Sequence, residues 1–379
     1  CFRSKAIVRD GLLAASSTLA RTELMPLSAS RRFTATSHRR FAALLVLPLL
    51  ALAGPASAFE AGTRWITITQ PDSGKSERVL MTYPAKTDGE VYRLGANALW
   101  QGVPARREAT PATGKWPLVL LSHGSGGNAA GLGWVSTFLA KNGFVVASPN
   151  HAGCTSTDMA ISNCIKIWNR PEDLSELLDV LLADDHWSKQ IDEKRIAAMG
   201  FSLGGNSVLL MAGARMSLEA YQAYCQTMLS PQSDCAWLRR GGVDLATVDK
   251  SRFDKESRDP RISAFVAIDP GFAPGYRTDS LRTIIIPGLL LNLGIGSDVP
   301  VTLKADSLAA AIPQAEFASI AGAVHFSFLG LCNPNGAELL KAENDDPVCD
   351  DGGNLPRQAL HQQMLQRIGL FLTKTLLER

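Results

Sequence analysis

The stretch "RIAAMGFSLGGNSVLLMAGA", residues 195–214, decides how the chain is read. It opens as an apolar, strand-like run, passes through a serine flanked by glycines, and continues in small and apolar residues suited to a helix. Gly200-Phe201-Ser202-Leu203-Gly204 matches G-x-S-x-G, the pattern of a nucleophile held on a sharp turn from strand to helix. Glycines are required because that turn strains the serine backbone, and a side chain two residues away would collide with neighbouring main chain. The pentapeptide alone is common, and the strand before it and the helix after it give it weight. A serine that merely caps the helix is the competing reading.

The flanking chain repeats the same alternation. "PLVLLSHGSGG" (117–127) and "FVVASPNHAG" (144–153) read as buried strands ending in loops, with the helix "WVSTFLAKNG" (134–143) between them. "RPEDLSELLDVLLADD" (170–185) is a helix with proline and acidic residues in its first turn. "ISAFVAID" (262–269), "GLLLNLG" (288–294) and "AEFASIAG" (315–322) are further strands, and "RQALHQQMLQRIGLFLTKTLLE" (357–378) is a closing helix. "RWITIT" (64–69) and "SERVLMTYPA" (76–85) are opening strands, followed by a Gly/Pro-rich connection as far as Lys115. Continuous apolar strands separated by helices predict one α/β domain, a mainly parallel sheet with helices on both faces. Residues 215–260 break the pattern. They read either as an insertion forming a cap over the carboxyl edge of the sheet or as a surface elaboration.

Residues 1–58 differ from the rest. Arg31, Arg32, Arg39 and Arg40 precede the apolar run "FAALLVLPLLALAG" (41–54), which is too short to span a bilayer, and Ala56-Ser57-Ala58 has the form of a cleavage site. We expect a signal peptide and upstream segment over 1–58, a mature domain over 59–379, a periplasmic or secreted location, and no membrane span after cleavage. Eight of the 38 Lys and Arg and two of the 36 Asp and Glu fall in 1–58, leaving a slightly acidic 30 against 34. With no basic patch or nucleic-acid motif, nucleic acid is not an expected partner. Six cysteines remain, and short loops favour the pairs 154–164, 225–235 and 332–349 among fifteen connectivities. No cysteine or histidine spacing suits zinc, so no metal or other cofactor is expected.

A serine nucleophile needs a histidine base and usually an orienting carboxylate. Five histidines follow the leader: His123, His151, His186, His325 and His361. His325, in "AGAVHFSF" just past the last strand, stands where the chain order Ser…Asp…His puts the base. His186 at a helix end and His361 on the final helix suit solvated roles, His123 a support for its own loop, and His151 a structural or substrate-contact role. Asp269 ends one strand and Asp298 lies in the loop after the next, and either can serve as the acid because both strands deliver their ends to one edge. The loop "SHGSGG" (122–127) can present the N–H of Ser125 to a developing oxyanion, with the N–H of Leu203 as second donor.

Taken together, "LLSHGSGG", "NRPEDLSELLDVL", "RIAAMGFSLGG", "AIPQAEFASIAGAVHFSFLGLC" and Cys349 resemble the α/β-hydrolase superfamily over most of residues 60–375. The similarity is to secreted bacterial predicted dienelactone hydrolases and to platelet-activating-factor acetylhydrolases. It implies an α/β-hydrolase fold, Ser202 as nucleophile, His325 as base, and Ser125 with Leu203 as the oxyanion site. "AIDPGF" is similar to the acid-bearing strand end of the acetylhydrolases and chlorophyllases, which implies Asp269 in preference to Asp298. Dienelactone hydrolases carry cysteine in a related elbow, so Ser202 does not imply their substrate. The resemblance implies hydrolysis of a small-molecule or polymer carboxylic ester. Polyester, phthalate-ester or phospholipid acyl hydrolysis and acyl transfer are alternatives within the same chemistry, and a non-catalytic binding protein on this fold is the rival from another class.

Overall fold

A computed structural model of the chain describes residues 59–69, 74–231, 233–353 and 355–378. The leader expected at residues 1–58 lies outside them. The described chain builds a ten-stranded sheet from β1 (Glu60–Thr69), β2 (Ser76–Ala85), β3 (Glu90–Leu94), β4 (Val103–Arg107), β5 (Trp116–Ser122), β6 (Val145–Pro149), β7 (Ile191–Phe201), β8 (Ala264–Ile268), β9 (Gly288–Leu293) and β10 (Ala315–Ile320). Their spatial order is β10-β9-β8-β7-β5-β6-β2-β1-β4-β3. The six strands from β5 onward are mutually parallel, and β2 joins β6 antiparallel.

The apolar strands are continuous because both faces of the sheet are covered. Leu118 and Leu120 of β5 join one core with Ile196, Ala198, Phe265 and Leu290, whereas Val119 and Leu121 join the other with Ala197, Met199, Val266 and Leu291. The helix Asn169–Ala183 lays Leu174, Leu177, Leu178 and Leu181 against the first core, a spacing of three and four that keeps them on one face. The helix Arg357–Leu372 covers the second core with Leu360, Met364, Ile368 and Phe371. This is the α/β-hydrolase fold.

One sequence expectation changes. The connection between Ala85 and Lys115 is not loop throughout: it contains the antiparallel pair β3 and β4, which extends the far edge of the sheet by pairing β4 with β1. Charged residues and Pro104 hid this pair, and these are the features that edge strands tolerate. Residues 215–260, which the sequence marks as an insertion, carry helices at Leu218–Thr227, Asp234–Arg240 and Lys250–Phe253. Asp234 is the anchor of that region, accepting hydrogen bonds from the hydroxyls of Tyr221, Tyr224 and, beyond β9, Thr302. The disulfides 154–164, 225–235 and 332–349 are all formed. Among the described residues no helix is long and apolar enough to cross a membrane.

Candidate active site

Strand order reverses at β5, with β6 on one side and β7 on the other. In an open α/β sheet the crevice at such a reversal, beyond the carboxyl ends of the strands, is where ligands bind. The loop after β5 begins at His123 and the turn after β7 carries Ser202, so both reach this crevice. β8 delivers Asp269, and the chain beyond β10 delivers His325.

Ser202 holds φ 57° and ψ −118°, outside the ordinary regions for a residue with a side chain, and its side chain makes no capping bond to the helix Leu203–Ala212. That removes the capping reading. The turn is possible because Gly200 and Gly204 have no Cβ: one on Gly200 would stand 2.1 Å from the Gly204 carbonyl oxygen, and one on Gly204 would stand 2.1 Å from the Ser122 carbonyl oxygen. Such backbone strain typically costs about 1–3 kcal/mol and persists where surrounding structure enforces it. Here Ser202 N–H donates to Ile268 and the Ser202 carbonyl accepts from Gly271, so both neighbouring segments hold the turn.

His325 Nε2 lies 3.1 Å from Ser202 Oγ, and His325 Nδ1 lies 2.9 Å from Asp269 Oδ2. Nδ1–H donating to the carboxylate leaves Nε2 unprotonated and able to accept the serine proton. Asp269 is fully buried, and its other oxygen accepts from Asn292 Nδ2 at 2.8 Å and Leu293 N–H at 2.9 Å. Asn292 is fixed in turn by the Leu303 carbonyl and the Ala305 N–H. Phe201 backs the imidazole with ring centroids 4.7 Å apart. Of the two candidate acids, Asp269 meets His325, while Asp298 sits exposed on a short 3-10 turn.

Ser125 lies in a turn closed by Gly127 N–H donating to the Gly124 carbonyl, with Gly126 at φ 66°. Among the described residues the N–H groups of Gly124, Ser125 and Leu203 find no acceptor. Leu203 is the first residue of its helix, where N–H groups have no partner within the helix and the dipole favours negative charge. Gly124 packs on Ser202, since a Cβ there would lie 3.2 Å from Ser202 Cβ.

The remaining histidines divide by environment. His186 is exposed and pairs with Gln190. His361 is buried rather than solvated: it stacks on Trp134 at 3.8 Å and donates from Nε2 to the carbonyls of Ser327 and Leu329, holding the turn that starts at His325. Its helix position gave no sign of this, because the partner turn lies more than thirty residues away in sequence. Burial pushes its pKa down to about 4.

His151 forms a second relay that sequence reading missed. Its Nε2 accepts from Ser122 Oγ at 2.9 Å and its Nδ1 donates to Asp173 at 2.9 Å, beneath the loop of Ser125. Burial, followed by the nearby Arg170, pushes the His151 pKa down to about 4. Ser122 and His151 are almost wholly enclosed, and Ser122 has none of the backbone strain of Ser202, so this relay is structural. Glu77 adjoins it, and the donor atoms of Glu77, His151 and Asp173 lie within 4.8 Å of one another, as metal ligands would. The donor set suits a cation poorly. Both His151 nitrogens are engaged, Lys75 bonds Asp173 at 2.8 Å, and the Arg170 charge acts on both carboxylates.

No family model matches the chain, and no curated protein does. Among solved structures it is similar to a ferulic acid esterase from Streptomyces cinnamoneus, with a TM-score of 0.54 and 17% identity over 86% of this chain and 93% of that one. The likeness spans nearly the whole of both chains, and it shows a shared α/β-hydrolase fold.

Proposed function

We propose that the protein is a serine hydrolase of carboxylic esters. The observation that carries this reading is the continuous array from Ser202 Oγ through His325 to the buried Asp269, set on a strained turn at the reversal of the sheet. Ser202 Oγ attacks the ester carbonyl carbon while His325 Nε2 takes its proton. The carbonyl oxygen, now an anion, rests on the N–H groups of Ser125 and Leu203. Collapse of the tetrahedral intermediate expels the alcohol, which takes the proton from His325. Water activated by the same imidazole then releases the acid and restores Ser202.

The fold shared with a ferulic acid esterase is in keeping with this chemistry. Three disulfides favour an oxidising compartment, so we place the protein in the periplasm or outside the cell. The helices within 215–260, pinned by Asp234 to Thr302 beyond β9, serve as a cap that shapes the ester pocket. The affinity to secreted dienelactone hydrolase-like proteins belongs to the same proposal. The test is hydrolysis of p-nitrophenyl butyrate by the wild type and by Ser202→Ala, together with fluorophosphonate labelling. Turnover by the wild type, none by the variant, and an adduct on Ser202 are expected. Turnover retained by Ser202→Ala would overturn the assignment.

A further inference from the structure

Arg170, in the first turn of the helix Asn169–Ala183, is enclosed, with about 3% of its surface exposed. Burial lowers its pKa to about 9, opposed chiefly by the charge of Asp173, so it remains cationic at neutral pH. A buried guanidinium needs acceptors. Those it has are backbone: Nη1 donates to the His123 carbonyl, and Nη2 approaches the Gly124 carbonyl at 3.4 Å. The Gly124 carbonyl also accepts from His123 Nδ1 at 2.7 Å and from Gly127 N–H at 3.2 Å. His123 Nε2 in turn accepts the His151 N–H, so the buried relay and the loop form one unit.

A trans peptide points its C=O and the following N–H in opposite directions, and the described chain contains no cis bond. Fixing the carbonyls of His123 and Gly124 therefore fixes the N–H groups of Gly124 and Ser125, which find no acceptor among the described residues. We propose that Arg170 is a positioning residue for the oxyanion site: by holding the carbonyls of His123 and Gly124, it turns the N–H groups of Gly124 and Ser125 toward the space beside Ser202. Gly124 already touches Ser202, which places that space within reach. The charge is buried for a directional reason, because a planar fork of donors grips adjacent carbonyls in a way that a lysine ammonium cannot.

This inference rests on the esterase reading above, and its test separates the two. Arg170→Gln and Arg170→Lys are compared with the wild type and with Ser202→Ala for kcat and KM on p-nitrophenyl butyrate, rate of fluorophosphonate labelling, affinity for phenylboronic acid, and Tm. Loss of one aligned oxyanion donor typically costs about 100- to 1,000-fold in kcat. A loop that is loosened but still present should cost roughly 10- to 100-fold. The expected result is that loss in kcat for Arg170→Gln, a smaller one for Arg170→Lys, KM within about threefold, and labelling and boronate affinity falling in parallel. Full kcat in Arg170→Gln, with Ser202→Ala inactive, overturns the positioning role and leaves the esterase reading standing. Activity in Ser202→Ala overturns the esterase reading itself. If both Arg170 variants fail to fold, the residue is scaffold and the proposal falls.

Discussion

Gly204 lies against the backbone of Ser122 so closely that a Cβ on it would meet the Ser122 carbonyl oxygen at 2.1 Å. Strand β5 and the turn after β7 therefore touch main chain to main chain, with no side chain able to yield between them. Gly204→Ala should destabilise the protein by about 3 kcal/mol or more, because relief requires backbone movement at the end of β5 or in the turn after β7. Urea unfolding followed by circular dichroism measures this; a loss under about 1 kcal/mol would show that the contact is softer than described.

Asp269→Asn removes the carboxylate that orients His325 and should lower kcat by roughly 10,000-fold. Asp298→Asn, at an exposed turn, should stay within about twofold of wild type. Steady-state kinetics on one ester compares them directly, and a reversed ranking would move the acid to the loop after β9.

Glu77 is buried, and desolvation, with Asp173 next in importance, raises its pKa from 4.5 to about 9. The folded protein thus keeps a proton that the unfolded chain gives up above pH 4.5. The stabilisation linked to that proton is fully present below pH 4.5 and is lost as pH rises toward 9. Thermal unfolding of Glu77→Gln should therefore gain on the wild type steadily between pH 5 and pH 9. A constant difference in Tm across that range would contradict the raised pKa.

The disulfide Cys154–Cys164 borders the loop that carries Ser125, since the Cys154 carbonyl accepts the Gly126 N–H and Thr155 bridges Gly127. Replacing both cysteines with serine should cost about 2–3 kcal/mol of stability. It should also lower kcat more than it raises KM, because the donors loosen while the rest of the pocket remains. Unchanged kcat in the folded variant would mean that Arg170 and His123 hold the loop unaided.

The parallel half of the sheet and the elbow were legible because their signals are local: continuous apolar runs, glycines at fixed offsets, and a serine between strand and helix. The disulfides were legible from short loops. The β3–β4 pair was not, because Pro104 and a run of charges at an edge look like a connection until β1 is beside it. His361 and the relay of Ser122, His151 and Asp173 stayed hidden for a different reason. Their partners are tens of residues away, and only folding shows which histidines are enclosed. Choosing between Asp269 and Asp298 required the same knowledge, since both follow strands that end at one edge.

The enclosed relay gives the molecule an internal control. Two serine–histidine–aspartate chains stand near one another with almost the same spacings, 3.1 and 2.9 Å in one, 2.9 and 2.9 Å in the other. One opens on the crevice from a strained turn, while the other is sealed within relaxed backbone. A reagent that discriminates between Ser202 and Ser122 will therefore be reporting the worth of solvent access and backbone tension, with side-chain chemistry held constant inside a single chain.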